Sequence, residues 1–153
     1  MTDMLSPEIR ISIKKSVLCW LATSSSDNQP NVSPKEIFEA YEDDCIIIAN
    51  IASPQSVKNI HANNKVCVSF IDILVQKGYQ LKGIATIIEK DNPEFSILHS
   101  ILDTYTQGKF PITSIIKTKI ESSKAILAPS YIFYPETSEE SQIQSAKDTY
   151  HLK

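Results

Sequence analysis

The sequence predicts a mainly β protein: a small, largely antiparallel barrel of six strands with short peripheral helices. Three observations carry this. β-Branched residues cluster in runs of strand length. The helical stretches between them are short and lack the strand-then-long-helix rhythm of a parallel sheet. The 153 residues include only 3 Gly and no evident linker, so residues 1–153 read as one unit, with 135–153 as a polar tail or short helix. A chain of this length buries roughly two thirds of its unfolded surface, enough for one core.

Each element has a local reason. Ser6-Pro7-Glu8 supplies an N-cap, a first-turn proline and an early acid for a helix over 7–16. Residues 17–23 form a nearly continuous apolar strand, and 24–29 a polar turn. A strand over about 31–40 contains Pro34, which donates no ladder hydrogen bond and belongs at a bulge or an unpaired position. An acidic turn, Glu42-Asp43-Asp44, leads into a strand over 45–50. Ser53-Pro54 repeats the cap-plus-proline pattern for a helix reaching His61 or Ala62. Strands follow over 66–71 and 79–89, the second holding Gly83, where a bend, a bulge or a closely approaching group is tolerated. A helix beginning near Asp91 carries the broad apolar stripe Phe95, Ile97, Leu98, Ile101, Leu102 and Tyr105, closed by Gly108. Residues 110–118 read as loop with a helical turn, and 120–127 with 131–134 as a last strand broken at Pro129.

Composition excludes several functions. With 15 Lys+Arg against 18 Asp+Glu the chain is mildly acidic, unlike a dedicated nucleic-acid binder. No apolar run approaches the roughly 20 residues of a membrane span, and residues 1–7 lack the basic-then-apolar pattern of a secretory leader, so a cytoplasmic location is expected. Cys19, Cys45 and Cys67 sit in separate apolar runs without a CxxC or a Cys/His cluster, as buried reduced thiols do. GxGxxG, Walker A and GxSxG patterns are absent. His61, His99 and His151 lie singly, Asp43-Asp44 and Glu139-Glu140 read as solvated acidic pairs, and Ser24-Ser25-Ser26 as turn formers, so neither a metal site nor a catalytic residue is assigned.

Three arrangements carry more. Period-two geometry places Asn31, Ser33 and Lys35 on one strand face, offering donors and one cation to an anionic or carbonyl-rich ligand. The helix start at Ser53-Pro54 presents unpaired backbone N–H groups with the Gln55 amide and the Ser56 hydroxyl, a combination suited to phosphate, and Lys58 and Asn59 lie within reach. In Gly78-Tyr-Gln-Leu-Lys-Gly83, Gln80 and Lys82 share a strand face beside a residue without a side chain, as a flat ring would require.

In this order, the segments resemble the pyridoxamine 5'-phosphate oxidase-like family of FMN-binding split barrels, in its short single-domain members, over roughly residues 5–134. The resemblance implies a six-stranded split barrel that pairs as a two-fold homodimer, with one FMN in each of two clefts lined by both subunits. It implies that Ser33 and Lys35 lie along the flavin, that Ala49 and Asn50 pass beside its ring, and that Gln55, Ser56 and Asn59 hold the phosphate and ribityl chain. Lys82 matches a basic residue on a later strand near the cofactor.

Two departures qualify it. Relatives often place an additional Lys or Arg at the phosphate loop, where this chain has Gln55 and Ser56, leaving Lys58 or Lys35 to supply the charge. The C-terminal Arg- and His-containing substrate motif of the oxidase itself is not reproduced in residues 146–153, which disfavours pyridoxamine phosphate oxidation. The expected function is an FMN-binding oxidoreductase passing hydride or electrons from a reduced nicotinamide or another donor to an acceptor, through a small-molecule or protein redox partner. The alternatives are a non-enzymatic flavin-binding or sensing dimer, and a barrel that binds another planar cofactor such as haem, with Tyr79, Phe70 or Tyr41 as stacking residues.

Overall fold

A computed structural model describes residues 4–153; residues 1–3, part of the N-terminal stretch read above as lacking a leader, lie outside the described residues. In chain order the elements are α1 (Pro7–Lys15), β1 (Cys19–Ser24), β2 (Pro30–Lys35), β3 (Phe38–Tyr41), β4 (Cys45–Asn50), α2 (Pro54–Ala62), β5 (Lys65–Asp72), β6 (Lys77–Ile88), α3 (Phe95–Thr106), β7 (Ser114–Leu127), α4 (Pro129–Phe133) and α5 (Glu139–Tyr150). No helix among the described residues is long and apolar enough to cross a membrane.

The strands form one sheet in the order β2-β1-β5-β6-β7-β4-β3, with every neighbouring pair antiparallel. Its two edge strands, β2 and β3, are joined by Glu36 and Ile37 alone. Laid flat, the sheet would separate its edges by about 29 Å at the usual strand spacing. The Cα steps from Lys35 to Phe38 span at most about 11 Å. The sheet must therefore curl, and Lys35 lies at the corner where its edges approach. This corrects the expectation of six strands: the run over 31–40 is divided into β2 and β3, giving seven among the described residues.

Other boundaries also move. The first strand starts at Cys19 rather than Val17, which is exposed. Residues 114–118, read as loop, begin β7, because β4 supplies a ladder from Asn50↔Ser114 to Cys45↔Lys119. Residues 131–134 are not strand: Pro129 opens the short helix α4 and Tyr134 closes it. The polar tail forms α5, capped where Ser138 accepts the Ser141 N–H.

Apolar side chains pack on both faces of the sheet. Inside the curl, Leu21, Ile46, Ile48, Val68, Phe70, Leu81 and Ile116 meet Ile9 and Ile13 of α1. On the other face of β4 and β7, Ile47 and Ile115 meet Leu98 and Leu102 of α3. Cys19 and Cys45 are buried and Cys67 half-buried, all as free thiols. The inner cluster holds one anomaly: Thr118, fully buried between Ile46 and Ala85, has a hydroxyl with no hydrogen-bond partner among the described residues. A stranded hydroxyl costs about 1 kcal/mol or more. Thr118→Val keeps the shape and removes the group, so it is expected to raise Tm by about 3 °C in thermal melts; a lower Tm would mean that the hydroxyl is satisfied in solution.

Candidate functional site

The site is built at the corner between β2, the end of β4 and the start of α2. β2 pairs with β1 so that Lys35, Ser33 and Asn31 lie opposite Cys19, Leu21 and Thr23, all facing inward beneath α2, while Val32 and Pro34 face out. Helix α2 is fastened over this face by Asn59, whose amide donates to Thr23 Oγ1 at 3.0 Å and accepts from Gln55 Nε2 at 2.8 Å.

Lys35 is only 6% exposed. Its Nζ donates to Ser33 Oγ at 2.6 Å and to Ser53 Oγ at 2.7 Å, and Ser33 Oγ lies 3.2 Å from Ser56 Oγ in a further hydrogen bond. No carboxylate pairs with it among the described residues. Burial holds its pKa below the ordinary lysine value, opposed by Cys19 across the strand pair. That thiol is itself pushed up to about 12 by burial, so it carries no charge near neutrality.

An ammonium has three donors, and two are used here. Because Ser33 and Ser53 accept from Lys35, the Ser53 hydroxyl proton and one proton of the hydrogen-bonded Ser33–Ser56 pair remain to be offered elsewhere. The result is one buried cation behind a cluster of hydroxyls at the N-terminal end of a helix, a donor set suited to an anion. Alongside it runs a cleft of about 280 Å³, where Lys35, Ser53 and the exposed Glu36 meet the apolar walls of Ile37, Ala49, Ile51 and Phe110.

Of the residues singled out in the sequence, Ser33, Lys35 and Ser56 come together, and Ala49 lines the adjoining cleft. Asn50 reaches the cluster through Ser53, whose backbone N–H it accepts at 3.0 Å. Asn31 lies further along the same inward face, opposite Thr23. Gln55 is exposed and bonded to Asn59, which is itself buried and joined to β1. Lys58 is exposed and lines a different cleft of about 500 Å³, with His61 and Glu89. Of the two lysines considered as a source of charge, Lys35 is therefore the one beside the serines. Gln80 and Lys82 occupy the opposite, outer face of the sheet: Lys82 lies between Cys67 and Ser122, in one row with Ala22 and the exposed Val32.

Ser53, Ile37 and Phe110 were not anticipated. Ser53 reads in sequence as a helix cap, yet it makes no side-chain capping bond; its hydroxyl goes to Lys35. The proposed stacking aromatics are otherwise engaged: Phe70 is core and packs between Phe38 and Tyr79, and Tyr41 lies under the Lys117 ammonium. A further cluster, Glu42, Asp44 and Cys45, gathers its ligand atoms within 4.8 Å at the β3–β4 turn. Burial and Asp44 push the Cys45 thiol up to about 11, where it donates to that carboxylate as a protonated group.

The chain is thus a curled antiparallel half-barrel with a cation and hydroxyls set beside an apolar cleft. The chain belongs to the pyridoxamine 5'-phosphate oxidase family, whose model matches residues 5–125. Solved structures share the fold. HupZ of Group A Streptococcus is 23% identical with a TM-score of 0.67, over 78% of this chain and 92% of that one. An FMN-binding protein from Syntrophomonas wolfei is 18% identical with a TM-score of 0.68, over 78% and 84%. HutZ, the haem storage protein of Vibrio cholerae, is 18% identical with a TM-score of 0.61, over 80% and 94%. No curated protein gives a significant match.

Proposed function

We propose that this chain is an FMN-binding protein that takes the cofactor's phosphate at Lys35, Ser33, Ser53 and Ser56 and lays the flavin against the cleft beside them. The observation that carries this reading is Lys35, a buried ammonium with hydroxyl partners and no carboxylate among the described residues. The site fits the group: hydroxyls and a cation suit a phosphate, and Ile37, Ala49, Ile51 and Phe110 suit an aromatic ring. Bound FMN supplies hydride or electron transfer, which makes the protein an oxidoreductase between a reduced nicotinamide or other donor and an acceptor. The residues of this chain bind and orient the ligand, and Phe110 and Ile51 shelter its apolar part from water.

Ligand sites commonly exceed about 300 Å³ and enclose most of the ligand. The cleft of one chain, about 280 Å³, falls below that size. Lys82 faces away from Lys35, so in this arrangement a second copy is what brings such a residue to the ligand. We therefore include a homodimer with two shared clefts in the reading. HutZ stores haem. In this chain the residues lining the cleft include no His, Met or Tyr to ligate iron, which ranks FMN ahead of haem.

The test is reconstitution with FMN, riboflavin or haem, followed by desalting, an absorption spectrum and a measurement of mass in solution. Retained flavin bands near ~375 and ~450 nm with FMN, little retention of riboflavin, and a dimer are expected. Equal loss of FMN and riboflavin, or a Soret band retained in place of flavin, would overturn the reading. If FMN is held and reduced under nitrogen but passes electrons to no acceptor, the role is binding or sensing rather than catalysis.

A further inference from the structure

Asn50 ends β4, only 8% exposed and with both ends of its side-chain amide engaged. Nδ2 donates to Ser114 Oγ at 2.9 Å and to Thr113 Oγ1 at 3.2 Å, while Oδ1 accepts the Ser53 N–H at 3.0 Å. Its backbone carbonyl accepts from Thr113 twice, from N and from Oγ1, each at 2.9 Å. The residue thus ties the start of β7 to the turn that precedes α2.

Ser53 shows the consequence. Ser6, in the same Ser-Pro context, caps α1 by accepting the Ile9 N–H at 3.3 Å. Ser53 stands at the N-cap of α2 with φ −129° and ψ 62° and makes no such bond. Its N–H is held by Asn50 and its hydroxyl by Lys35. An intrinsically favoured cap has been given up, and the bonds that replace it lead from Asn50 through Ser53 to the ammonium.

We propose that Asn50 is a positioning residue of the anion site: by holding Ser53 away from the helix end it fixes the Lys35 ammonium toward the ligand, and so sets the preference for FMN over riboflavin without touching either. This rests on the FMN reading above and deepens it. With Nδ2 and Oδ1 both bonded within the protein, Asn50 acts on the ligand through its neighbours.

Two measurements on the full-length protein test it. Flavin fluorescence quenching gives Kd for FMN and riboflavin in wild type, Asn50→Ala, Ser53→Ala and the double variant. Both single variants are expected to weaken FMN about 10-fold and riboflavin less than about 2-fold, with the double variant no worse than Ser53→Ala, because coupled residues do not add. NMR titration of ε-13C-labelled lysine in ligand-free protein should show Lys35 moving further below the ordinary lysine range in both single variants, because the ammonium loses an acceptor that favours its charged form, with Cys19 on β1 its titrating neighbour. If Asn50→Ala leaves the Lys35 titration where it is in wild type, the relay is overturned whatever flavin does. If the titration moves but FMN and riboflavin weaken equally, or the two substitutions add, the role in ligand preference is overturned. A wild type that does not prefer FMN, with the Lys35 titration still moved by Asn50→Ala, instead overturns the cofactor reading and with it the ligand half of this proposal. Should Asn50→Ala fail to fold, Asn50→Ser, too short to reach the Ser53 N–H, carries the same expectations.

Discussion

Lys35→Met is expected to yield a protein that melts higher than wild type and no longer retains FMN. A buried ammonium without a carboxylate partner is a burden on the fold, since its lost hydration is only partly returned by Ser33 and Ser53. Methionine matches its length and reach without the charge, so a gain of about 1–2 kcal/mol, or about 3–6 °C in Tm, follows. On the binding side, a charge-assisted hydrogen bond contributes about 1.5–3 kcal/mol, and its removal should weaken FMN by roughly 10- to 150-fold while riboflavin changes little.

The same lysine makes wild-type stability depend on pH. Burial lowers its pKa below 10.5, so between the folded value and 10.5 the unfolded chain holds more protons than the folded one. Stability attributable to Lys35 therefore rises with pH through that window, and FMN affinity falls through it as the cation is lost. Urea melts of wild type and Lys35→Met from pH 7 to pH 10 should converge as pH rises, since other titrating groups are common to both. A variant less stable than wild type that binds FMN equally well would remove Lys35 from the site and return it to an ordinary structural role.

How much of this was legible depends on the range of the interaction. The inward face of Asn31, Ser33 and Lys35 follows from period-two alternation, and the start of α2 from Ser53-Pro54, because both are local. The meeting of Ser33 with Ser56 was anticipated only as convergence on a shared ligand; the direct bond depends on the curl that brings β2 under α2. The break between β2 and β3 was hidden because a chain crossing from one sheet edge to the other stays extended and keeps its strand-like composition. Strand β7 was misplaced at its start because Thr113 and Ser114 read as polar loop, whereas they pair with and bond Asn50, 63 and 64 residues away. Ser53 was read correctly as a helix boundary and incompletely as a donor set, since the lysine that captures its hydroxyl lies on another strand. Lys82 was placed near the cofactor by the family resemblance, and within one chain the alternation of β6 sets it on the sheet face away from Lys35.

Gly83→Ala is expected to cost the fold about 3–5 kcal/mol, lowering Tm by about 10–15 °C or preventing accumulation of folded protein. In sequence Gly83 fits either a close approach by a flavin or a constraint of the barrel, and the structure identifies what approaches. The ladder between β6 and β7 slips between Lys82 and Gly83, so that Lys82 faces Ser122 while Gly83 faces Ile120, leaving Glu121 as the extra residue of a bulge. A Cβ on Gly83 would lie 2.0 Å from the Lys119 carbonyl oxygen and 3.0 Å from the Ile120 Cα. Both are backbone atoms in a strand held by β4 on its far side through Lys119 and by β6 on its near side. Neither can turn away as a side chain can, and relief requires the bulge itself to open. Gly108 provides the contrast: with φ +71° and nothing within 4 Å, alanine there meets only the left-handed conformational penalty of about 1 kcal/mol. Thermal melts of the two variants should therefore differ several-fold in their shift. A Gly83→Ala protein that melts like wild type yet loses FMN would instead place the cofactor, not the Lys119 carbonyl, against this glycine.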